Sequence, residues 1–222
     1  MMRLLLIDTC GGEGSVALAE GESPRLVASE MLPGRSASER LVPVIRQEME
    51  AKGWKLSDLT AIVVVHGPGS FTGVRVGLSA AKGLCEAGGI PLIAVSRLAL
   101  VANAAGKPEA EVCAVLDAGR GEFYCGVYRG HRKIRESLLT ADELARVVER
   151  GNGLATSEPK VAEALSSLAP YLVGELKAGD SLPFALERIA RKEFDDPATI
   201  DANYLRRTDL EIFAKVGKGA TS

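Results

Sequence analysis

Residues 67–77 form a glycine-rich segment whose side chains and spacing could bind a ligand. The segment reads Gly-Pro-Gly-Ser-Phe-Thr-Gly-Val-Arg-Val-Gly and follows an apolar run at residues 61–65. An apolar run rich in valine predicts a buried strand, and the residues after Thr72 predict a helix, so the glycines occupy a strand-to-helix turn. Free backbone N–H groups at the start of that helix, together with the Ser70 and Thr72 hydroxyls, could receive an anion.

A purely structural interpretation of the same turn is favoured over the anion site. Gly67, Pro68 and Gly69 could simply reverse the chain, because glycine accepts positive φ and proline fixes its own. Thr72 would then be the N-cap of the helix, and Phe71 would pack on Val76 as a hydrophobic staple. The spacing does not match a dinucleotide-binding fingerprint, because Thr72 stands where that motif has its third glycine. It does not match a P-loop either, because no Gly-Lys-Ser/Thr follows. Arg75 and Arg120 could each contact phosphate or pair with a nearby carboxylate, and pairing is the favoured expectation for both.

Two similar strand-and-hairpin units each carry an aspartate at the end of their first strand. Residues 4–7 form an apolar run that ends in Asp8 and Thr9, before glycines and a second strand at residues 15–19. Residues 112–116 end in Asp117 and lead through glycines to a strand at residues 122–128. Two such hairpins facing each other would enclose a cleft, where paired carboxylates can hold a metal-nucleotide or orient water. Alternatively, each aspartate accepts hydrogen bonds from its own turn.

These observations define one candidate anion- or nucleotide-binding set. Its members are Asp8, Thr9, Gly67, Gly69, Ser70, Thr72, Gly73 and Asp117. No catalytic residue, metal site or cofactor is predicted. The sequence has only two histidines, His66 and His131, and neither belongs to a His-x-x-x-His pair, which argues against a histidine-based metal site or a Ser-His-Asp triad. The four scattered cysteines include no Cys-x-x-Cys pair and are interpreted as small core residues: Cys10, Cys85, Cys113 and Cys125.

Composition points to a soluble globular protein. The chain has 222 residues, of which 46% are hydrophobic, with 27 basic and 29 acidic side chains. This length allows one large or two small domains. A net charge of -2 provides no general attraction to nucleic acid, so any RNA contact is expected to need a partner. The apolar runs are too short for a signal peptide or a membrane span, and a cytoplasmic location is expected.

Alternating strand and helix patterns predict an α/β fold with two similar lobes. A third strand is expected near residues 26–31, and a helix that opens on a capping box, Ser36 to Glu39, should run to Gly53 and be kinked or delayed by Pro43. A further strand at residues 91–95 and a helix at about 97–105 complete the first half. The predicted division is an N-terminal lobe at residues 1–104, a smaller, abbreviated lobe at residues 105–210 and a tail at residues 211–222.

The helix after the glycine turn, from Gly73 to about Ala87, is rich in small residues. Glycine inside a helix costs up to about 1 kcal/mol relative to alanine, so repeated glycines indicate that something approaches closely. That neighbour is either the protein's own sheet or a helix of a partner. The apolar stripes of this helix and the preceding one are predicted to form a two-helix docking surface: Leu41, Ile45, Met49, Val74, Leu78, Ala81 and Cys85.

Five sequence segments resemble the TsaB (YeaZ) family in order and spacing. The most specific is the Gly-Pro-Gly-Ser-Phe-Thr-Gly run, and the similarity is good over residues 3–128 and thin between 130 and 201. The segments are Leu6-Ile7-Asp8-Thr9, residues 67–77, residues 91–96, residues 117–124 and Tyr204-Leu205-Arg206.

The resemblance implies an actin-like ATPase fold with two ribonuclease-H-like lobes, each a mixed sheet flanked by helices. It also implies a non-catalytic role in forming N6-threonylcarbamoyladenosine in tRNA. Family members bind the related transferase subunit TsaD through two helices of the N-terminal lobe. TsaE, an ATPase, completes the bacterial complex, and homodimers form when TsaD is absent. Contact with tRNA would be indirect.

The sequence departs from the family pattern at two places. Ala37 stands where the family usually has a histidine, and residues 149–154 followed by a helix-like stretch replace a strand and Gly-x-Gly turn. An alternative function is a nucleotide-binding phosphotransferase or ATPase of the actin-like superfamily that uses Asp8, Thr9 and Asp117. A peptidase is the least supported interpretation, since no nucleophile–base pair is evident.

Overall fold

Two five-stranded mixed sheets, flanked by helices, make up the fold. The computed structural model describes residues 1–107, 109–149 and 153–205. The first sheet has the strand order β3-β2-β1-β4-β5, in which β1 to β3 are antiparallel neighbours and β4 and β5 run parallel to β1. Its strands are β1 (Met2–Asp8), β2 (Gly14–Gly21), β3 (Arg25–Leu32), β4 (Ala61–Val65) and β5 (Leu92–Val95).

The second sheet repeats this topology. Its order is β10-β9-β6-β7-β8, with β6 to β8 antiparallel and β9 and β10 parallel to β6. Its strands are β6 (Glu111–Gly119), β7 (Glu122–Arg129), β8 (Arg132–Thr140), β9 (Gly153–Thr156) and β10 (Tyr171–Leu172). The repeat confirms the internal duplication and the actin-like, ribonuclease-H-like fold class. The strand β9 corrects the expectation that this part of the second lobe lacks one.

Six α-helices cover the sheets in the described part of the chain. The first two lie side by side on one face of the first sheet, and the third packs against β6 and β7. The helices are α1 (Ala37–Ala51), α2 (Phe71–Gly88), α3 (Arg97–Ala104), α4 (Ala141–Val148), α5 (Pro159–Ala164) and α6 (Leu182–Ala190). None of the helices described is long and apolar enough to cross a membrane.

The alternation of side chains along β6 shows how the second sheet serves two cores. Val112, Ala114 and Leu116 face the large core shared with α3 and the first sheet. Cys113 and Val115 face a smaller core beneath α4 and α5. Successive strand residues point to opposite faces, so one strand contributes to both. All four cysteines are buried, which confirms their interpretation as core residues.

The chain returns to the first sheet after β10. The Ala178 N–H donates to Ser15 Oγ at 2.8 Å, the Asp195 N–H to the Leu92 carbonyl at 2.8 Å, and the Asn203 N–H to the His66 carbonyl at 2.8 Å. Segments that follow the second sheet in sequence therefore contact β2, β5 and the end of β4. The division into lobes at residue 104 stays a prediction, and the predicted tail at residues 211–222 lies outside the described residues.

The predicted capping box of the first helix is wrong. The Ser36 hydroxyl donates to the Pro33 carbonyl at 2.7 Å, and no side chain caps α1. A short 3₁₀ turn, Gly34–Ser36, leads directly into α1 and takes the place of the cap. Pro43 lies within the helix, which begins before it at Ala37.

Candidate functional site

The glycine turn ends at a helix N-cap that differs from the predicted one. The Ser70 hydroxyl accepts a hydrogen bond from the Gly73 N–H at 3.3 Å, and α2 begins at Phe71. Thr72 is therefore an exposed residue of the first helical turn and not the cap. The Gly67–Pro68 peptide is cis, and Gly67 has a φ of 103°, a conformation that glycine adopts at little cost.

The chain's own loop after β1 explains why small residues begin α2. A Cβ at Gly69 would overlap the Cys10 carbonyl oxygen, and one at Gly73 would overlap the Thr9 carbonyl oxygen. The Thr9 hydroxyl donates to the Gly73 carbonyl at 2.6 Å, and a Cβ at Gly77 would meet that same hydroxyl. Internal close packing accounts for these three glycines. A Cβ at Gly83 would meet no atom within 4 Å, so this glycine has no such explanation.

Two cavities lie beside the turn and divide the candidate anion-binding residues between them. A cleft of about 1010 Å³ has Gly69, Ser70 and Asp117 on its wall. A smaller cavity of about 360 Å³ is lined by Thr9, Ser70, Thr72 and Gly73, among others. Asp8 and Gly67 line neither cavity. The sequence-predicted set is therefore not one site.

Asp8 does not face the cleft. Asp8 is only 3% exposed, and its Oδ1 accepts a hydrogen bond from the Cys10 N–H at 2.8 Å. Burial raises the pKa of Asp8, although the positive charge of Arg97 acts in the opposite direction. Asp117 Oδ1 similarly accepts the Gly119 N–H at 2.8 Å. Both aspartates thus make the turn-type hydrogen bonds of the structural alternative, and the pair does not fit a metal-nucleotide that would lie in the cleft.

Arg97 is a feature of the cleft that sequence patterns did not indicate. Its Nη1 donates to the Cys10 carbonyl at 3.1 Å, and the residue is 9% exposed. Its Nε has no hydrogen-bond partner among the described residues. A Cβ at Gly11 would lie 2.9 Å from its Nη2, so the guanidinium packs directly on the loop after β1. No local motif signals such a contact, because Gly11 and Arg97 are far apart in sequence.

The residues predicted to form a two-helix docking surface are buried in the protein's own core. Each is at most 6% exposed, because the stripes attach α1 and α2 to the first sheet: Leu41, Ile45, Met49, Val74, Leu78, Ala81 and Cys85. These seven side chains are therefore not exposed for docking, and their assignment to a docking surface is wrong. The outer face of α1 carries Val42, 53% exposed, and Arg46, while that of α2 carries Ser79 and Gly83.

Arg75 on α2 stacks on aromatic rings. Its Cζ lies 3.3 Å from the centroid of the Phe71 ring and 5.1 Å from that of Tyr204. Its Nη1 donates to the Phe71 carbonyl at 3.1 Å. The expected carboxylate partner is absent among the described residues, and the staple between Phe71 and Val76 is also wrong, since Phe71 is 68% exposed.

A buried carboxylate fixes the segment that carries Tyr204. The Glu136 side chain is 4% exposed and accepts hydrogen bonds from Ser96 Oγ at 2.5 Å, from the Tyr128 hydroxyl and from Asn203 Nδ2 at 3.0 Å. Burial alone would raise the pKa of Glu136, but the three hydrogen bonds, together with the charge of Lys133 at 3.6 Å, outweigh burial and lower it. One carboxylate thus ties β7, β8, the start of α3 and residue 203 together.

Neither histidine resembles a catalytic base. His66 Nδ1 lies 3.1 Å from the Asp201 carbonyl, and burial lowers its pKa. His131 bonds Glu187 at 2.8 Å and Asn103 at 3.2 Å.

Comparison with known proteins gives consistent matches. The family model of TsaD, tRNA N6-adenosine threonylcarbamoyltransferase, matches residues 31–182. The tRNA threonylcarbamoyladenosine biosynthesis protein TsaB of Bacillus subtilis is 31% identical over 226 residues, which cover 95% of this chain and 96% of that protein. TsaB of Escherichia coli is 36% identical over 130 residues, which cover 58% of this chain and about half (55%) of that protein. The solved structure of YeaZ from Pseudomonas aeruginosa is 30% identical, with a TM-score of 0.77, and the match covers 92% of this chain and 100% of that one.

Proposed function

The chain belongs to the TsaB (YeaZ) family, and we propose that it is a non-catalytic subunit of the complex that forms N6-threonylcarbamoyladenosine in tRNAs reading codons that start with A. It binds and positions the transferase subunit TsaD. TsaE joins the larger complex, tRNA is contacted through the partner, and a homodimer forms when TsaD is absent. The observation that carries this proposal is the alignment with B. subtilis TsaB, which covers 95% of the chain.

The arrangement of the polar residues supports a role without catalysis. Asp8 lies beneath the cleft and not on its wall. His66 and His131 lie outside helices and strands and line one cavity of about 510 Å³, but each already bonds a neighbour of its own. A general base must lie within hydrogen-bond reach of the group that it serves. Asp8 interacts with the Cys10 thiol, but burial raises the pKa of that thiol and so disfavours a thiolate nucleophile. Neither histidine is paired with a nucleophile among the described residues.

The outer faces of α1 and α2 are the proposed contact with TsaD. The two helices lie side by side, and their exposed residues include Val42 on α1 with Ser79 and Gly83 on α2. Small side chains allow another helix to approach closely. The match to the TsaD family model spans both helices, so a related partner would present similar helices to them. Pairing of two related surfaces also explains why a homodimer would form in the absence of TsaD.

Light scattering after size exclusion tests the proposal. The purified chain mixed with TsaD from the same genome should elute as a heterodimer. Ser79→Arg places a long charged side chain on the exposed face of α2 and should abolish that species, because a charge buried without a partner at an interface is strongly unfavourable. Ser167→Arg, at an exposed position after α5, is a matched control that should leave the heterodimer intact. Elution of the wild-type chain and TsaD as separate species would contradict the proposal.

A further inference from the structure

Arg75 is an exposed cation that is held in place with no counter-ion among the described residues. Its Nη1 donates to the Phe71 carbonyl at 3.1 Å, and the Phe71 and Tyr204 rings lie beside its guanidinium. Within residues 1–107, 109–149 and 153–205, no carboxylate forms an ion pair with it. Stacking and the carbonyl contact restrict the side chain before any ligand arrives, which lowers the entropy cost of binding. None of the described residues accepts a hydrogen bond from the remaining N–H groups of the guanidinium, which can donate to an anionic group.

A groove of about 200 Å³ adjoins the guanidinium. Its wall includes Val74, Tyr124 and Tyr204, and Arg75 is the only charged residue among the described residues that line it. Phe71 is 68% exposed and Tyr204 is 39% exposed, so two aromatic rings remain in contact with water. Arginine and aromatic side chains are the residues most enriched at the centres of protein–protein interfaces.

We propose that this groove anchors a carboxylate side chain of the partner subunit, with Arg75 as the recognition residue and Phe71 and Tyr204 as its walls. The inference rests on the proposed function and adds the chemistry of one contact. Arginine forms short, charge-assisted hydrogen bonds with carboxylates, and flanking aromatic rings exclude water from them. The groove is continuous with the proposed docking face, because Phe71 begins α2 and Ser79 lies two turns further along it.

Charge favours a protein partner over RNA at this groove. Binding to a nucleic acid backbone depends on several cations that each neutralise a phosphate. Arg75 is the one cation among the described residues that line the groove, and the chain carries a net charge of -2. One guanidinium suits one carboxylate.

Calorimetric titration of the chain with TsaD, at low and at high salt, tests the anchor. Arg75→Gln removes the charge and should weaken the affinity by about tenfold or more. Arg75→Lys keeps the charge but loses the planar guanidinium, so its affinity should be intermediate. Phe71→Ala should also weaken binding of TsaD, because it removes the aromatic ring that stacks on the Arg75 guanidinium. The control is Arg129→Gln on β7, an exposed arginine that pairs with Glu111 at 2.7 Å, and its affinity should equal that of the wild-type chain. Salt should reduce the wild-type affinity more steeply than that of Arg75→Gln.

The outcomes separate this inference from the proposed function. If wild type binds TsaD and Arg75→Gln binds equally well, the anchor is wrong while the scaffold role stands. An equal salt dependence of the two proteins would overturn the carboxylate as the recognised group. Reduced tRNA binding with unchanged TsaD affinity, measured by filter retention, would overturn the inference in favour of an RNA contact. Failure of the wild-type chain to bind TsaD would remove the proposed function and the anchor together.

Discussion

Replacement of Glu136 by glutamine should destabilise the fold at neutral pH. The carboxylate is 4% exposed and accepts three hydrogen bonds, from Ser96, Tyr128 and Asn203. Hydrogen bonds to a charged group contribute about 1.5–3 kcal/mol each. Glutamine has one acceptor oxygen and an NH₂ group that faces donors, so one or two of these bonds should be lost. We expect the free energy of unfolding to fall by about 2–4 kcal/mol.

The effect should depend on pH in a defined direction. Hydrogen bonding lowers the pKa of Glu136 in the folded protein despite its burial. A carboxyl group whose folded pKa is depressed adds stability above its unfolded pKa, about 4.3, and that stability is lost as pH falls through the folded pKa. The difference between wild type and Glu136→Gln should therefore be constant from pH 7 to about pH 5. It should narrow below about pH 4.

Urea unfolding followed by far-UV circular dichroism measures this difference directly. The control is Glu111→Gln, which breaks the exposed pair with Arg129 and should cost less than about 1 kcal/mol. If Glu136→Gln were as stable as wild type at pH 7, the carboxylate would not be holding the two sheets and residue 203 together. A difference that stayed constant below pH 4 would refute the role of its charge.

Three further predictions follow from the packing of α2 and from the cleft. Gly77→Ala should lower the free energy of unfolding by about 1–3 kcal/mol, because the new Cβ would overlap the Thr9 hydroxyl. Gly83→Ala should be neutral or stabilising by up to about 1 kcal/mol, since the new Cβ would meet no atom within 4 Å. Equal urea midpoints for the two variants would contradict this packing. Ala81→Arg should prevent stable folding, because residue 81 is 0% exposed and the arginine would be buried without a partner. Ser79→Arg should keep the wild-type melting temperature but lose TsaD binding. An Ala81→Arg protein that melts cooperatively would contradict this orientation of α2. Calorimetric titration of the isolated chain with magnesium-ATP should give no heat of binding, because Asp8 does not line the cleft. A saturable heat of binding would support the nucleotide-binding alternative.

Local patterns were sufficient for most of the first half of the chain. Apolar runs bounded by glycine and proline located β1, β2, β4 and β5, because strands that are buried on both faces need continuous apolar sequence. The Asp8 and Asp117 units also revealed the duplication, since Asp8 ends the central strand β1 and Asp117 lies two residues before the end of the central strand β6. The family resemblance then supplied the fold class.

What the sequence could not reveal depends on contacts between distant residues. The apolar stripes of α1 and α2 indicate a buried face, but periodicity does not say whether a sheet or a partner covers it, and here the sheet does. Likewise, Ser70 and Thr72 are both good N-caps, and the hydrogen bond from the Ser70 N–H to the Cys10 carbonyl places the start of the helix. The Glu136 cluster joins residues more than 60 positions apart, so no window of sequence contains it.

The most direct test of the proposed function is tRNA modification in a reconstituted system. TsaD, TsaE, tRNA and threonylcarbamoyl-adenylate are incubated with and without this chain, and N6-threonylcarbamoyladenosine is quantified by mass spectrometry of the digested tRNA. A non-catalytic subunit predicts product only when the chain and TsaD are both present, and none with the chain alone. Full product formation without the chain, or product from the chain without TsaD, would contradict the account.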